Sequence, residues 1–201
     1  MDYTKGGARR STTVEKQKMI APKIAKVAAG LALLAAPATL SAELSAGARA
    51  PTFVTQGALA GKSFEFDLQA ALKKGPVVLY FYPKAFTQGC TLEANAFAEA
   101  MPDFAAAGAT VIGMSADDLP TLKRFSTEEC RDKFAVAMAS KRVIEAYDVA
   151  FVMNGQDTGL SDRTSYVIDG NGTIELSYSA LDWREHVSRS LAKVREIKRK
   201  S

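Results

Sequence analysis

The hydrophobic pattern changes its period near the middle of the chain. Residues 77–82 are an unbroken run of apolar, β-branched and aromatic side chains, which is typical of a strand buried on both faces of a sheet. Over residues 91–107 apolar side chains instead recur three or four positions apart, the spacing of one helix face. The change predicts a buried strand, a turn and an amphipathic helix, in that order.

The rest of the chain alternates between strand and helix signals. Strands are predicted from residue 53 and at residues 63–67, 110–115, 134–138, 163–169 and 173–179. Helices are predicted at residues 68–74, 119–130, 142–147 and 182–198. Residues 45–51 are expected to be a Gly/Ala linker, and residues 153–161 a polar loop. This order favours an α/β class, and a thioredoxin-like sandwich, with a mixed central sheet and helices on both faces, is one candidate among several.

The beginning of the chain has the pattern of a targeting segment. Two lysines precede an apolar run over residues 27–40, which is followed by the small residues Ser41 and Ala42. The run is shorter than the ~20 residues that span a bilayer, so it predicts a secretory signal peptide rather than a membrane anchor. We expect residues 1–42 to be a basic leader with a signal peptide, and residues 43–201 to be one domain exported to the periplasm or the medium.

Charge and cysteine content narrow the function of that domain. Residues 1–26 contain seven Lys/Arg and two acidic residues, a charge of +5, while the whole chain carries +4. The remainder therefore carries −1 and is not expected to bind nucleic acid. Only two cysteines are present, Cys90 and Cys130, too few for a disulfide scaffold. No cluster has the spacing of metal ligands, so no metal is expected.

Cys90 follows the predicted buried strand and a short turn. It is therefore expected in the first turn of a helix, where the backbone N–H groups and the helix dipole stabilise a thiolate. A lone cysteine in such a place is more often a small buried hydrophobe. Here, however, the sequence reads Pro83-x-x-x-Thr87-x-x-Cys90, with Thr91-Leu92-Glu93 following.

This spacing matches the active-site pattern of peroxiredoxins, and residues 48–198 resemble the bacterioferritin-comigratory (PrxQ) branch of the AhpC/TSA family. The resemblance implies a thioredoxin-like fold and a thiol-dependent peroxidase that reduces hydrogen peroxide and organic hydroperoxides without a cofactor. It implies that Cys90 is the peroxidatic nucleophile, that Thr87 orients the peroxide, and that Pro83 shields the thiolate. Arg163 matches the family's active-site arginine, which would stabilise charge on the leaving oxygen.

The sequence leaves alternatives open for three further residues. Glu93 stands where a thioredoxin-type Cys-x-x-Cys has its second cysteine, and it either supports the site by orienting an arginine or is an exposed first-turn residue. Many members of the branch carry a resolving cysteine at the position of Asn95, so Cys130 is the candidate resolving cysteine here. The alternative is a structural cysteine in a one-cysteine enzyme. His186, the sole histidine, is expected on the surface or in the core rather than in catalysis.

Two other functions compete with a peroxidase. One is a thioredoxin-type thiol–disulfide oxidoreductase, which the missing Cys-x-x-Cys argues against. The other is a catalytically silent exported binding module with a thioredoxin fold, which the motif residues argue against. For the peroxidase, the partners implied are a hydroperoxide and a thioredoxin-like or small-thiol reductant, with no nucleic acid and no stable membrane anchor. The resemblance suggests a monomer.

Overall fold

The computed structural model describes residues 44–200, and the predicted leader lies outside them. Its strands are β1 (Val54–Leu59), β2 (Lys62–Asp67), β3 (Val77–Phe81), β4 (Thr110–Ser115), β5 (Ala135–Met138), β6 (Ala150–Met153), β7 (Gln156–Ser161), β8 (Thr164–Ile168) and β9 (Ile174–Ser179). Its α-helices are α1 (Leu68–Leu72), α2 (Gln88–Ala106), α3 (Leu119–Glu128), α4 (Lys141–Ala146) and α5 (His186–Lys200). A 3-10 turn, Trp183–Glu185, leads into α5.

Seven strands form one mixed sheet in the order β2-β1-β5-β4-β3-β8-β9. β3 runs parallel to β4, and β4 parallel to β5, while the other pairs are antiparallel. β6 and β7 pair only with each other. The central position of β3 explains why its sequence is apolar throughout, since all five of its residues are buried.

Helices cover both faces of the sheet, as predicted. Alternate residues of β3 contribute to two separate cores, with Leu79 in one and Tyr80 in the other. The Tyr80 side is closed by α2, α3 and α5, and the Leu79 side by α1 and α4. The predicted mixed sheet with two helical layers is confirmed.

Two predicted irregular segments are in fact ordered by backbone pairing. Residues 45–51 are not a free linker, because Gly47 N donates to Ile174 O (2.8 Å) and Ala50 N donates to Gly172 O (2.9 Å). Residues 153–161 are not a polar loop, because they contain most of the β6–β7 hairpin. Its turn is Asn154-Gly155, with both residues in the left-handed region (φ 52° and 76°), as a tight hairpin turn requires.

The register of β3 and β8 determines where the candidate site forms. Phe81, at the end of β3, is paired with Thr164, at the start of antiparallel β8. Arg163, the residue before β8, therefore lies beside the point where the chain leaves β3 toward α2. No helix within residues 44–200 is long and apolar enough to cross a membrane.

Candidate active site

Cys90 and Arg163 meet at the first turn of α2. Cys90 is the third residue of that helix and is 1% exposed, and its Sγ lies 3.3 Å from Nη2 of Arg163. Gly89 leaves room for this approach, because a Cβ added there would lie 3.3 Å from the same nitrogen, a tight contact that would displace the guanidinium by a few tenths of an ångström. The guanidinium therefore places a fixed positive charge at hydrogen-bond distance from the sulfur.

The guanidinium of Arg163 is held by two further partners. Its Nη1 donates a hydrogen bond to Oε2 of Glu93, and its Nε donates to the carbonyl oxygen of Leu181 (3.0 Å). Three nitrogens thus make three contacts in one plane, which fixes the direction of Nη2 toward the sulfur.

Glu93 is fully buried, so the alternative of an exposed first-turn residue is wrong. It lies one helical turn after Cys90, on the face of α2 that packs against the sheet. Burial raises the pKa of its carboxyl to about 8, although Arg163 opposes that shift. The carboxyl group therefore takes up a proton far more readily than an exposed glutamate does.

A short loop between β3 and α2 carries Pro83 and Thr87. Pro83 is half-buried, while Thr87 stands at the N-cap of α2 and donates its hydroxyl hydrogen to the carbonyl of Lys84 (2.9 Å). The hydroxyl oxygen can still accept a hydrogen bond, for example from the O–H of a hydroperoxide.

Asp117, after β4, holds this loop in place and was not recognised in the sequence. Its Oδ2 accepts hydrogen bonds from Ala85 N (2.7 Å) and from the Ser115 hydroxyl (2.8 Å). Phe86 in the loop has φ 63°, a strained value for a non-glycine residue, and its ring packs edge-on against Phe125 at 5.3 Å. Nothing local in the sequence marks Asp117, because its partner lies 32 residues away.

His186 lies behind Glu93, also fully buried. Its Nδ1 is 3.9 Å from Oε1 of Glu93 and 2.8 Å from the Ser165 hydroxyl, and its Nε2 is 2.9 Å from the Ala180 carbonyl oxygen. Burial lowers its pKa to about 4, so the ring is neutral at pH 7. Of the two positions expected for His186, surface or core, the structure shows the core, and the sequence did not place it next to Arg163 and Glu93.

Cys130 is buried in the core on the same side of the sheet as Cys90, and both thiols are free. The predicted helix over 119–130 ends at Glu128, so Cys130 lies in the turn that follows. Arg131 and Asp132 then adopt left-handed φ values of 51° and 57°. Burial raises the pKa of the Cys130 thiol, and Glu129 and Asp132 add to the shift. Within residues 44–200 there is no group of three His, Cys, Asp or Glu residues suited to a metal ion.

Comparison with known proteins agrees with this geometry. The AhpC/TSA family profile matches residues 46–177, more than half of the chain. The chain belongs to the AhpC/TSA family. Chloroplastic peroxiredoxin Q of Suaeda salsa is 33% identical to this AhpC/TSA protein over 142 residues, which cover 71% of the chain and 63% of the relative. Chloroplastic peroxiredoxin Q of Gentiana triflora is 36% identical over 107 residues, 53% and 48% of the two chains.

Solved structures share the fold. Peroxidoxin BcpB of Mycobacterium tuberculosis superposes with a TM-score of 0.68 at 28% identity, covering 77% of this chain and 98% of that one. Peroxiredoxin Q of Xanthomonas campestris superposes with a TM-score of 0.62 at 25% identity, covering 71% of this chain and 90% of that one. The predicted family and thioredoxin-like fold are confirmed. The AhpC/TSA protein spans about half to two thirds of the length of the two plant relatives.

Proposed function

We propose that this AhpC/TSA protein is a thiol-dependent peroxidase in which Cys90 reduces hydroperoxides. The observation that carries the proposal is the 3.3 Å contact between the Cys90 sulfur and an arginine that Glu93 and a backbone carbonyl hold in position. Such a fixed cation stabilises both the thiolate and the negative charge that develops on the leaving oxygen.

The chemistry proceeds in two steps. The Cys90 thiolate attacks one oxygen of ROOH, the S–O bond forms as the O–O bond breaks, and the RO⁻ product takes up a proton to leave as ROH. The resulting sulfenic acid then reacts with a thiol, which forms a disulfide and releases water. Thr87 can accept the peroxide O–H and align its oxygens with the sulfur, while Pro83 limits access of water.

An apolar groove beside Arg163 supports organic hydroperoxides as substrates in addition to hydrogen peroxide. The groove has a volume of about 300 Å³ and is lined by the apolar side chains of Phe151, Val152 and Leu181, with Asp162 and Ser179 beside Arg163. Val152 and Leu181 are 55% and 67% exposed. An alkyl chain placed there would cover these side chains while its peroxide group faces Arg163.

We propose Cys130 as the resolving thiol and an external thiol, of the thioredoxin or small-molecule class, as the final reductant. The support is that Cys130 is the other cysteine of the chain and belongs to the same core cluster as Cys90. Disulfide formation requires local opening, because both thiols are buried.

We also propose that residues 1–42 direct export and are removed, and that the mature protein is a monomer. The support for export is the sequence pattern alone. N-terminal sequencing of protein from the periplasm or medium tests the first proposal, with a start at residue 43 expected and an intact leader contradicting it. Light scattering of the purified domain tests the second, where a dimer mass is the contrary outcome.

A coupled peroxide-consumption assay tests the proposed activity. The wild-type protein should consume hydrogen peroxide with dithiothreitol or thioredoxin as reductant, and Cys90→Ser should not. Insulin reduction measured in parallel separates the alternative, since a thioredoxin-type oxidoreductase would reduce insulin without consuming peroxide. Inactivity in both assays would contradict the peroxidase proposal and favour the alternative of a binding module.

A further inference from the structure

The two ring nitrogens of His186 have different partners. Nε2 is 2.9 Å from the Ala180 carbonyl oxygen, which only accepts hydrogen bonds, so Nε2 carries the ring proton. Nδ1 therefore presents a lone pair, and the Ser165 hydroxyl at 2.8 Å donates to it. The same lone pair lies 3.9 Å from Oε1 of Glu93.

Oε1 of Glu93 is a buried oxygen that receives no hydrogen bond from the described residues. The other oxygen of this carboxyl group is occupied by Arg163. An ionised carboxylate with one oxygen left without a donor is unfavourable in a buried place. A proton on Oε1 removes this charge and gives the carboxyl group a donor that can turn toward Nδ1.

The charges around Arg163 also favour a cluster in which one of the two acids is protonated. One fixed cation contacts two acids, the Cys90 thiol and Glu93, and two negative charges there would leave the buried cluster with a net charge of −1. The coupled pair therefore favours states in which only one acid is ionised.

Other groups near His186 have partners of their own. Tyr178 from β9 packs its ring edge-on against the imidazole at 4.8 Å. Asp182, before the 3-10 turn, is paired with Arg184, and Arg189 of α5 is paired with Glu185. Both ion pairs are exposed. Burial has the largest effect on the pKa of the ring, followed by the hydrogen bond to Ala180 and the charge of Arg163, while Asp182 and Arg189 act in opposite senses.

We propose that His186 is a positioning residue that helps to keep Glu93 protonated, so that the charge of Arg163 is directed at the sulfur and the peroxide. The proposal rests on the proposed peroxidase function for its purpose. The position of the proton, however, is a property of the reduced protein and can be measured without turnover. Burial acts in the same sense, because it raises the pKa of Glu93 and lowers that of His186, which leaves the proton on the carboxyl at pH 7.

The single histidine makes the proton visible by ¹⁵N NMR, since one imidazole gives one pair of nitrogen signals. In the reduced wild type we expect a neutral ring protonated at Nε2, and an Nδ1 signal that shifts between about pH 6 and 9 as Glu93 loses its proton. Cys90→Ser should lower the midpoint by about one pH unit or more, because it removes the competing negative charge. Ser165→Ala should raise it, because it leaves Nδ1 free for the Glu93 proton.

Glu93→Gln should abolish the transition, and near-UV circular dichroism checks that this variant is folded. If it is not, the opposite shifts of Cys90→Ser and Ser165→Ala carry the test alone. An Nδ1 signal that is flat with pH in the wild type, or a transition whose midpoint is the same in Cys90→Ser, contradicts the proposal. Absence of peroxidase activity would refute the proposed function and leave these spectra unchanged, so the two failures are distinguishable.

Discussion

Arg163 links the sulfur of Cys90 to the buried carboxyl of Glu93, so its replacement should affect peroxide reduction directly. Arg163→Met should slow peroxide reduction by roughly 10²-fold or more, because the guanidinium acts on charge that develops in the transition state. The fold should persist, since Glu93 can become neutral by protonation. Arg184→Met, at an exposed arginine, is the matched control and should retain the wild-type rate. Equal rates for the two variants would refute the role of Arg163.

The sequence could predict some residues of the site and not others. Pro83, Thr87 and Cys90 lie within one short motif, so their spacing alone identifies them. Asp117 and His186 act through hydrogen bonds that close only when distant segments meet, 32 and 21 residues apart. Their side chains have no local signature, and their roles therefore emerge only from the folded structure.

At the scale of elements, the loop between β3 and α2 depends on Asp117. Asp117→Ala should reduce the rate constant for peroxide by about tenfold or more, because the loop loses the acceptor for Ala85 N and can misplace Thr87. Asp118→Ala is the matched control next to it. Asp118 caps α3 by accepting from Thr121 N, so its loss should lower the melting temperature while leaving the rate near that of the wild type. A wild-type rate for Asp117→Ala together with a reduced rate for Asp118→Ala would contradict the role of Asp117.

The turn that carries Cys130 must open if Cys130 resolves the sulfenic acid. Two contacts tie it to α2. Asn95 donates to Glu129 at 3.5 Å, which is long for a hydrogen bond, and Glu99 pairs with Arg131 (3.3 Å) at an exposed surface, where ion pairs are weak. One equivalent of peroxide without reductant should therefore yield an intramolecular Cys90–Cys130 disulfide, detected by mass spectrometry of non-reduced peptides. Sulfinic acid at Cys90 with a free Cys130 would instead indicate a one-cysteine enzyme.

Strands and helices with a buried face were predictable, because their side-chain pattern follows the faces of the sheet. The β6–β7 hairpin was missed because half of its strand residues are exposed and only one is buried, so it lacks the alternation of a half-buried strand. Its Asn154-Gly155 turn was the signal that could have identified it. The pairing of residues 45–51 was missed because backbone hydrogen bonds to β9 leave no mark on the sequence.

At the scale of the whole molecule, the buried neutral His186 links folding to pH. Its pKa is lowered from 6.5 to about 4, so between those values the unfolded chain binds a proton that the folded protein does not. Stability therefore falls as the pH falls through this window, by up to about 1.4 kcal/mol per pH unit. In a Glu93→Gln background, where the neighbouring carboxyl cannot titrate, the protein with His186 should lose stability between pH 6.5 and 4 relative to the one with His186→Gln. Urea unfolding measures this difference, and a constant difference would contradict the burial of a neutral ring.

The central claim, that Cys90 is the residue that reacts with peroxide, can be tested through the only tryptophan of the chain. Trp183 lies beside the first turn of α2, where a Cβ at Gly89 would be 4.0 Å from its ring. Stopped-flow fluorescence of the reduced protein mixed with hydrogen peroxide should show a fast phase whose rate rises linearly with peroxide concentration. Cys130→Ser should keep this phase and lose any slower one, whereas Cys90→Ser should show no phase at all. A peroxide-dependent fast phase that survives in Cys90→Ser would contradict the account.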